Sequence, residues 1–360
     1  RAIRRRIHQQ EGQALDLDLL KDDLADIYDL QVAELVDFAV TETDSQTVLT
    51  VATNPKLYAP HILRIGFSYV GGQNDKSHAA AHLRHTWLEM NRFGGEWRND
   101  LQFGREFGII SEIYQPLSWS RVPFLAVGGW RRDGNYDWYG NLDDLGDFDV
   151  IEHTGSLDVG TRISHWGELR TGVRYGNVLA TTPTSTGPDE FDGHIGGFTG
   201  RLAWDSLDHP LFPAGGTAGE IEFFAARLGL GSDLEYDKLE GRLTSAASAG
   251  HSTFMLTFQG GSSLATVLPD FDTFAAGGLD LLSGYHDHQL RGQTYGMGSV
   301  RWYRKILTSP SIFPTTWYIG AGFEAGNTWD DRDSARLNDL RYCFNVSFMA
   351  NTYIGPAVLA

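Results

Sequence analysis

Apolar and polar residues alternate along most of this chain from about residue 61 onward. For example, Trp97, Leu101 and Phe103 fall on one face of their segment, whereas Arg98 and Asp100 fall on the other. A period of two is typical of β-strands, whose successive side chains point to opposite faces. The pattern predicts about fifteen strands, near residues 61–70, 80–91, 95–105, 108–116, 122–132, 147–163, 166–178, 192–204, 217–228, 233–247, 250–260, 296–307, 314–325, 341–350 and 353–360. Longer loops are expected to separate some of these strands, at residues 134–149 and 180–193.

Residues 1–56 follow a different pattern. Ile3 and Ile7 stand four residues apart, and a second helical spacing follows, with Asp16 or Asp18 as the residue that caps the helix. Two short strands are then expected at 34–40 and 46–53 around a polar turn. The sequence therefore predicts a small α+β domain of two helices and two strands, followed by the strand-rich region 57–360.

Three architectures compete for residues 57–360. A β-sandwich or a lipocalin-like barrel would bury the apolar face of each strand and expose the polar face to water. Here the polar face carries Glu168, Arg170 and Arg174 among glycines such as Gly172 and Gly176. Glycine weakens an ordinary solvent-facing strand but suits a curved interior, and aromatic residues on the other face suit lipid. This favours a transmembrane barrel.

The strand count extends that interpretation. Bacterial single-chain barrels have an even number of antiparallel strands. We therefore predict a mainly β protein with a sixteen-stranded antiparallel transmembrane barrel, of which about fifteen strands are present and the last lies beyond Ala360. The small domain is likewise expected to lack a first strand before Arg1.

Composition excludes several functions. The chain has 29 Lys and Arg against 46 Asp and Glu, a net charge of −17, so we expect no nucleic-acid partner. A single cysteine, Cys343, rules out an intrachain disulfide. The sequence contains no Gly-x-Ser-x-Gly elbow, and two histidines around Asp287 are too few for a metal site. We predict no enzyme activity, no metal and no cofactor.

One long connection, "GGLDLLSGYHDHQLRG" at residues 277–292, separates the strands near 250–260 and 296–307. A wide barrel leaves an aqueous lumen, which a loop that folds inward can fill. Gly277, Gly278 and Gly284 would allow the backbone turns. Arg291 is expected to form a charge-assisted contact with Glu324 on the wall.

Three motifs carry a resemblance to a known family. "WDSLDHPLFPAGGTAGEIEF" resembles the barrel motif of the outer-membrane assembly and translocation superfamily, the bacterial surface antigen barrels. "GFEAGNTWDD", with Glu324 and Gly326, resembles a strand motif of that superfamily, which usually has Asp in place of Glu324. Residues 1–56 resemble a polypeptide-transport-associated (POTRA) domain. The matching positions of the barrel motif are Asp205, Asp208, Pro210, Pro213 and Gly216.

The resemblance gives the long connection a role. It implies that residues 277–292 form the family's inward-folded loop, whose tip contacts the strand motif across the lumen. The tip here contains Leu282, Ser283, Gly284 and Tyr285, and the arginine usual in the family is absent. Arg291 is the candidate replacement.

The phrases "APHILRIGFSYVGG", "EMNRFGGEWRNDLQFG" and "SEIYQPL" resemble one subfamily, the single-POTRA barrels behind a patatin-like phospholipase, called type Vd autotransporters. The resemblance implies a bacterial outer-membrane translocator with its POTRA domain in the periplasm. Its partners would be membrane lipid and lipopolysaccharide, the barrel-assembly machinery that inserts it, and its own N-terminal passenger.

Several alternatives stay open at this point. The chain could be an outer-membrane protein assembly factor or a two-partner secretion transporter that acts on other polypeptides. A passive porin and a soluble lipid-binding β protein are further rivals. The POTRA-like domain could add a client strand at its sheet edge or serve as a spacer. The sequence also leaves open whether two copies form a homodimer.

Overall fold

The computed structural model of the chain describes residues 7–28, 33–43, 46–55, 60–70, 78–118, 122–140, 143–164, 166–183, 189–279, 281–309, 315–352 and 355–360. Among these residues, no helix has the length and hydropathy to cross a membrane. The helix and strands are α1 (Leu17–Tyr28), β1 (Ala33–Thr43), β2 (Gln46–Pro55), β3 (His61–Val70), β4 (His78–Trp87), β5 (Glu96–Phe103), β6 (Glu106–Pro116), β7 (Pro123–Gly140), β8 (Asp143–Ile163), β9 (Gly167–Thr182), β10 (Asp189–Asp205), β11 (Gly215–Ala226), β12 (Tyr236–Ala249), β13 (Ser252–Ser262), β14 (Phe274–Ala276), β15 (Leu290–Gly292), β16 (Thr294–Ser309), β17 (Thr315–Trp329), β18 (Arg341–Thr352) and β19 (Gly355–Leu359).

The N-terminal elements are one helix and one hairpin. The Asp16 carboxylate accepts hydrogen bonds from the backbone N–H groups of Asp18 and Leu19, at 3.0 and 3.1 Å, and so caps α1. Strands β1 and β2 form an antiparallel hairpin. Of the predicted first helix, residues 1–6 lie outside the described residues and residues 7–10 are not helical.

Every strand predicted after residue 57 is present. Among the described residues, fifteen strands form one antiparallel sheet in the order β3 to β13 and then β16 to β19. Each strand pairs with the next strand of the sheet along the chain, and β13 pairs with β16 across the long connection that contains β14 and β15. The sheet curves into a nearly closed barrel with β3 and β19 at its two free ends. Strands β14 and β15 leave this sheet and form a separate two-stranded ribbon.

The two faces of the sheet differ as the alternation predicts. In the β16–β17 pair, Val300 lies opposite Phe323 on the outer face, and Ser299 lies opposite Glu324 on the inner face. Large apolar side chains on the outer face are exposed, as on the lipid-facing side of a membrane barrel. They include Leu63, Ile65, Phe67, Leu157, Val159, Phe198, Ile221, Phe254, Leu256, Phe258, Phe344 and Val346.

Two predicted long loops are wrong. Residues 134–149 and 180–193 were expected to be irregular, but β7 and β8 together extend over all but residues 141–142 of the first range. In the second range, β9 continues to Thr182 and β10 starts at Asp189. Strands β7 and β8 have 18 and 21 residues, more than the roughly 9–11 needed to span a bilayer. The alternation of aromatic and polar residues continues there, so the hairpin extends past the bilayer.

The two ends of the barrel are named here by strand β3. The near end is the end at which β3 begins, and it contains the β10–β11 connection, residues 206–214. The far end is the end at which β3 finishes, and it contains the connection from β13 to β16, residues 263–293. The motifs named from the sequence therefore lie at opposite ends of the barrel.

Candidate functional site

The connection from β13 to β16 folds inward through a short ribbon. Phe274 to Ala276 in β14 pair with Leu290 to Gly292 in β15, and the described tip residues 277–279 and 281–289 connect these strands. Gly277 and Gly278 have φ values of +124° and +85°, a region that favours glycine. Their backbone N–H groups donate to the carbonyls of Leu281 and Tyr285, both at 2.9 Å. The glycine pair thereby closes the tip into a compact turn.

The tip meets the barrel wall at Glu324 of β17. The Ser283 backbone N–H donates to Glu324 Oε2 at 2.6 Å. Asn345 of β18 donates through Nδ2 to Glu324 Oε1 at 3.0 Å and lies 3.3 Å from Ser283 Oγ. Glu324 is only 4% exposed. A backbone donor therefore takes the place of the arginine that the resemblance implies for this contact.

A second contact fixes Tyr285. Arg341 of β18 donates through Nη1 to the Tyr285 hydroxyl at 2.9 Å and through Nε to Asn327 Oδ1 at 3.1 Å. Gly284 lies directly over the thiol of Cys343, because a Cβ atom at Gly284 would be 3.2 Å from Sγ. Gly284 thus permits a close approach that a larger residue would hinder.

Leu282 and Gly326 also shape this region of the loop and wall, through packing rather than through hydrogen bonds to Glu324. Leu282 is 1% exposed and has a φ of +84°, which is unusual for a residue with a branched side chain. It packs into the apolar cluster formed by the loop and the inner wall, together with Met297. A Cβ at Gly326 would meet Met297 Cγ, so glycine leaves room for that side chain.

The predicted pair of Arg291 and Glu324 is wrong. Within the described residues, the Arg291 guanidinium lies 4.2 Å from the centre of the Trp138 ring and 5.0 Å from that of Phe148. Its nearest polar partner is Thr273 Oγ1 at 3.4 Å. Burial lowers the pKa of Arg291 to about 10. The extended β7–β8 hairpin supplies the aromatic rings, and because that extension was not predicted, its contact with Arg291 was missed.

Further loop contacts with the far end were also missed. Arg105 donates to Asp287 Oδ2 at 2.7 Å. His286 stacks on Tyr139 with 6.0 Å between ring centres, and His288 meets the Tyr136 ring edge-on at 5.0 Å. Burial lowers the pKa of His288, so this imidazole is neutral at neutral pH. The two histidines serve as aromatic contacts, and the described residues contain no group of three or more potential metal ligands.

The barrel motif forms the β10–β11 connection at the near end. Asp205 Oδ1 accepts from the Leu207 N–H at 2.9 Å. Asp208 Oδ1 accepts from the N–H groups of Ala214 and Gly215 at 2.7 and 3.2 Å, and these backbone bonds lower its pKa. Gly216 has a φ of +104°, and a Cβ there would collide with the Ser206 carbonyl.

The same connection turns into the barrel. Pro213 is fully buried, and its carbonyl accepts a hydrogen bond from the Tyr303 hydroxyl of β16. Phe212 stacks on Tyr318 of β17 with 4.7 Å between ring centres. Pro210 remains exposed. The motif therefore ties the β10–β11 connection to the inner face of β16 and β17, a role that the sequence motif alone did not specify.

Charged residues line the near-end lumen in pairs. Arg170 donates to Glu168 at 2.5 Å and to Glu112 at 2.7 Å. Arg201 binds Glu220 and lies 3.1 Å from Glu222. Arg201, Glu168 and Glu220 line a cavity of about 590 Å³ at this end. The near-end lumen is therefore polar and accessible, whereas the loop and its apolar cluster occupy the far half.

Comparison with solved structures reveals the same fold. BamA from Haemophilus ducreyi lacking POTRA domains 1–3 aligns with a TM-score of 0.68 at 12% identity, over 99% of this chain and 76% of that one. CdiB from Acinetobacter baumannii aligns with a TM-score of 0.61 at 10% identity, over 97% of this chain and 64% of that one. CdiB from Escherichia coli aligns with a TM-score of 0.62 at 10% identity, over 100% of this chain and 70% of that one.

Comparison of the sequence gives the family. No curated protein matches the chain in sequence. The family model described as the Omp85 superfamily domain matches residues 100–360, which is well over half of the chain. The chain therefore belongs to the Omp85 superfamily and is an outer-membrane β-barrel.

Proposed function

We propose that this barrel translocates polypeptide across the outer membrane and that its passenger is the N-terminal part of its own polypeptide. The observation that carries the proposal is the division of the lumen into an accessible polar half and a half closed by a loop. Among the described residues, the tip forms hydrogen bonds to the wall at Glu324, Arg341 and Arg105, and these bonds are separate from the strand-to-strand bonds of the barrel. In this proposal the loop leaves the lumen while the strands of the sheet stay paired.

The proposed passenger is a patatin-like phospholipase. The support for this assignment is the resemblance of three segments to the barrels of type Vd autotransporters. In this proposal the lipase chemistry belongs to the passenger, and residues 57–360 serve as the transporter without enzyme activity or a cofactor. Lipid, lipopolysaccharide and the barrel-assembly machinery would be its membrane partners.

The N-terminal elements would act as a periplasmic POTRA-like domain. The β1–β2 hairpin is a sheet of only two strands in the described residues, so each strand has one free edge. Leu35 and Phe38 are exposed on this hairpin, at 54% and 43%. An extended polypeptide could pair with such an edge through main-chain hydrogen bonds before it enters the near end of the barrel.

A second function is an assembly factor or two-partner transporter that acts on other polypeptides. The fold similarity to BamA and to the two CdiB barrels favours this candidate. Both candidates use the same lumen, loop and hairpin. They differ in whether the passenger is covalently joined to the barrel.

The native protein purified from outer membranes separates the two. Its intact mass and N-terminal sequence should reveal an upstream segment of roughly 300 residues with a Gly-x-Ser-x-Gly elbow and an Asp-Gly pair. Phospholipase activity should then depend on the serine of that elbow. An upstream segment made only of repeated POTRA-sized units would contradict the own-passenger proposal and favour the assembly factor.

A further inference from the structure

A second cavity, of about 390 Å³, lies inside the lumen between the inward loop and the wall formed by β7 to β10. Three arginines line it, namely Arg132, Arg174 and Arg291. The volume falls within the range of small-molecule sites. Because these strand residues are on the inner face of the barrel, the cavity faces the lumen and is separated from the lipid by the sheet.

Arg174 lies over an aromatic ring. Its guanidinium carbon lies 3.3 Å from the centre of the Phe224 ring. Among the described residues, no carboxylate lies within salt-bridge distance of Arg174, although its charge acts on Asp272. Stacking holds the plane of a guanidinium and leaves the N–H groups at its edge available to an acceptor.

Arg291 of the loop lines the same cavity and also lies over an aromatic ring. It stacks over Trp138 at 4.2 Å, and its Nε is buried with no hydrogen-bond partner in the described structure. Buried donors that no protein group satisfies are costly unless something else in the cavity accepts from them.

The carboxylates around the cavity already have donors. Asp272 accepts from Lys238 Nζ at 2.6 Å and from the Tyr236 hydroxyl at 2.8 Å. Glu152 accepts from Thr154 at 2.9 Å and lies directly across the strand pair from Arg132. Among the described residues, Arg174 is without a carboxylate partner and the Nε of Arg291 is without an acceptor, so both guanidinium groups can donate to a bound ligand.

Glu106, the remaining carboxylate of the lining, accepts from the Tyr136 hydroxyl at 2.6 Å. We propose that the cavity binds a free oxyanion of the phosphate type between Arg174 and Arg291. A dianion matches two guanidinium groups in charge, and its several oxygens can accept from both groups at once. Such a ligand would join the loop to the β9 wall. The site is independent of the proposed function, since a barrel with either type of passenger could hold it.

Phosphate binding to the purified full chain tests the site. The barrel is kept in a maltoside detergent, which has no phosphate, and titrated with inorganic phosphate by calorimetry at fixed pH and ionic strength, against a chloride reference. We expect saturable binding of one phosphate per chain. Arg174→Gln should weaken it at least about tenfold, the usual scale for loss of a charge-assisted hydrogen bond.

Arg242→Gln is the matched control, because Arg242 also points into the lumen but lines the near-end cavity. The dissociation constant of Arg242→Gln for phosphate should lie within about twofold of the wild-type value. Heat-modifiable gel mobility establishes that each variant is folded. Absence of saturable binding to the wild-type chain would overturn the proposal, whatever the variants do. Equal weakening in both variants would also overturn it, since it would indicate a general effect of lumen charge.

Discussion

Glu324→Gln should loosen the loop tip from the wall. Glu324 accepts from the Ser283 N–H at 2.6 Å and from Asn345 Nδ2 at 3.0 Å, and it is 4% exposed. A glutamine has the same shape but only one acceptor oxygen, and it removes the charge. It can therefore satisfy one of the two donors and presents an NH₂ group to the other.

The size of the effect on docking follows from the Ser283 bond, because Glu324 and Asn345 both belong to the wall and their bond does not hold the loop. A hydrogen bond to a charged group contributes about 1.5–3 kcal/mol, and a neutral bond about 0.5–1.5 kcal/mol. Replacing one charged bond by one neutral bond should cost about 1.4 kcal/mol of docking free energy. At 1.4 kcal/mol per factor of ten, the undocked population should rise about tenfold.

Cys343 provides the assay, because it is the only cysteine of the chain and its thiol lies under Gly284. Modification by a bulky, water-soluble thiol reagent should therefore require loop displacement, and its rate should rise about tenfold in Glu324→Gln. Glu112→Gln is the control, since Glu112 binds Arg170 elsewhere in the lumen. An unchanged Cys343 rate in Glu324→Gln would refute the assignment of Glu324 as the residue that holds the tip.

Three further predictions concern the near end. Gly216→Ala should lower the thermal unfolding midpoint, because its Cβ would collide with the Ser206 carbonyl and its φ is +104°. Gly215→Ala should leave the midpoint unchanged, because the space around Gly215 is open. Phe212→Ala should lower the free energy of unfolding, measured by urea titration, by about 3 kcal/mol or more, because Phe212 is buried against Tyr318. A similar loss in Leu211→Ala, at an exposed neighbouring position, would contradict this packing argument. Backbone N–H donors lower the pKa of Asp208 in the folded state below its ordinary value of 3.8. The ionised Asp208 carboxylate therefore stabilises the fold at pH values above 3.8, and this stabilisation is lost as the pH falls through the lower folded-state pKa. Asp208→Asn should remove that part of the acid sensitivity in unfolding midpoints measured across this range, and an unchanged acid profile would contradict it.

The strands could be predicted because their information is local. A period of two specifies the lipid-facing side of each strand wherever it persists, and glycine-rich or polar breaks mark the ends. The same signal was present at Tyr136 and Trp138, where aromatic residues alternate with polar ones. Those positions were assigned to a loop between the strands predicted at 122–132 and 147–163, and the contact between Trp138 and Arg291 was missed for that reason.

Contacts across the lumen could not be predicted in the same way. The bond from Tyr303 to Pro213 joins residues 90 positions apart, and the β10–β11 connection reaches it only because it turns into the barrel. The resemblance indicated which segments would meet at Glu324, but it implied an arginine side chain. The donor is instead the Ser283 backbone N–H, which every residue except proline possesses, so no residue type in the sequence marks it.

The most direct test of translocation follows the passenger in intact cells. An epitope placed in the native polypeptide upstream of residue 1 should be accessible to antibody or protease at the surface of cells that produce the wild-type protein. The same epitope should stay protected when the barrel is present but residues 277–292 are locked to β17 by an engineered disulfide, and reduction should restore its exposure. An epitope that remains inside the cell with a folded wild-type barrel would contradict the claim that this chain exports its own N-terminal passenger.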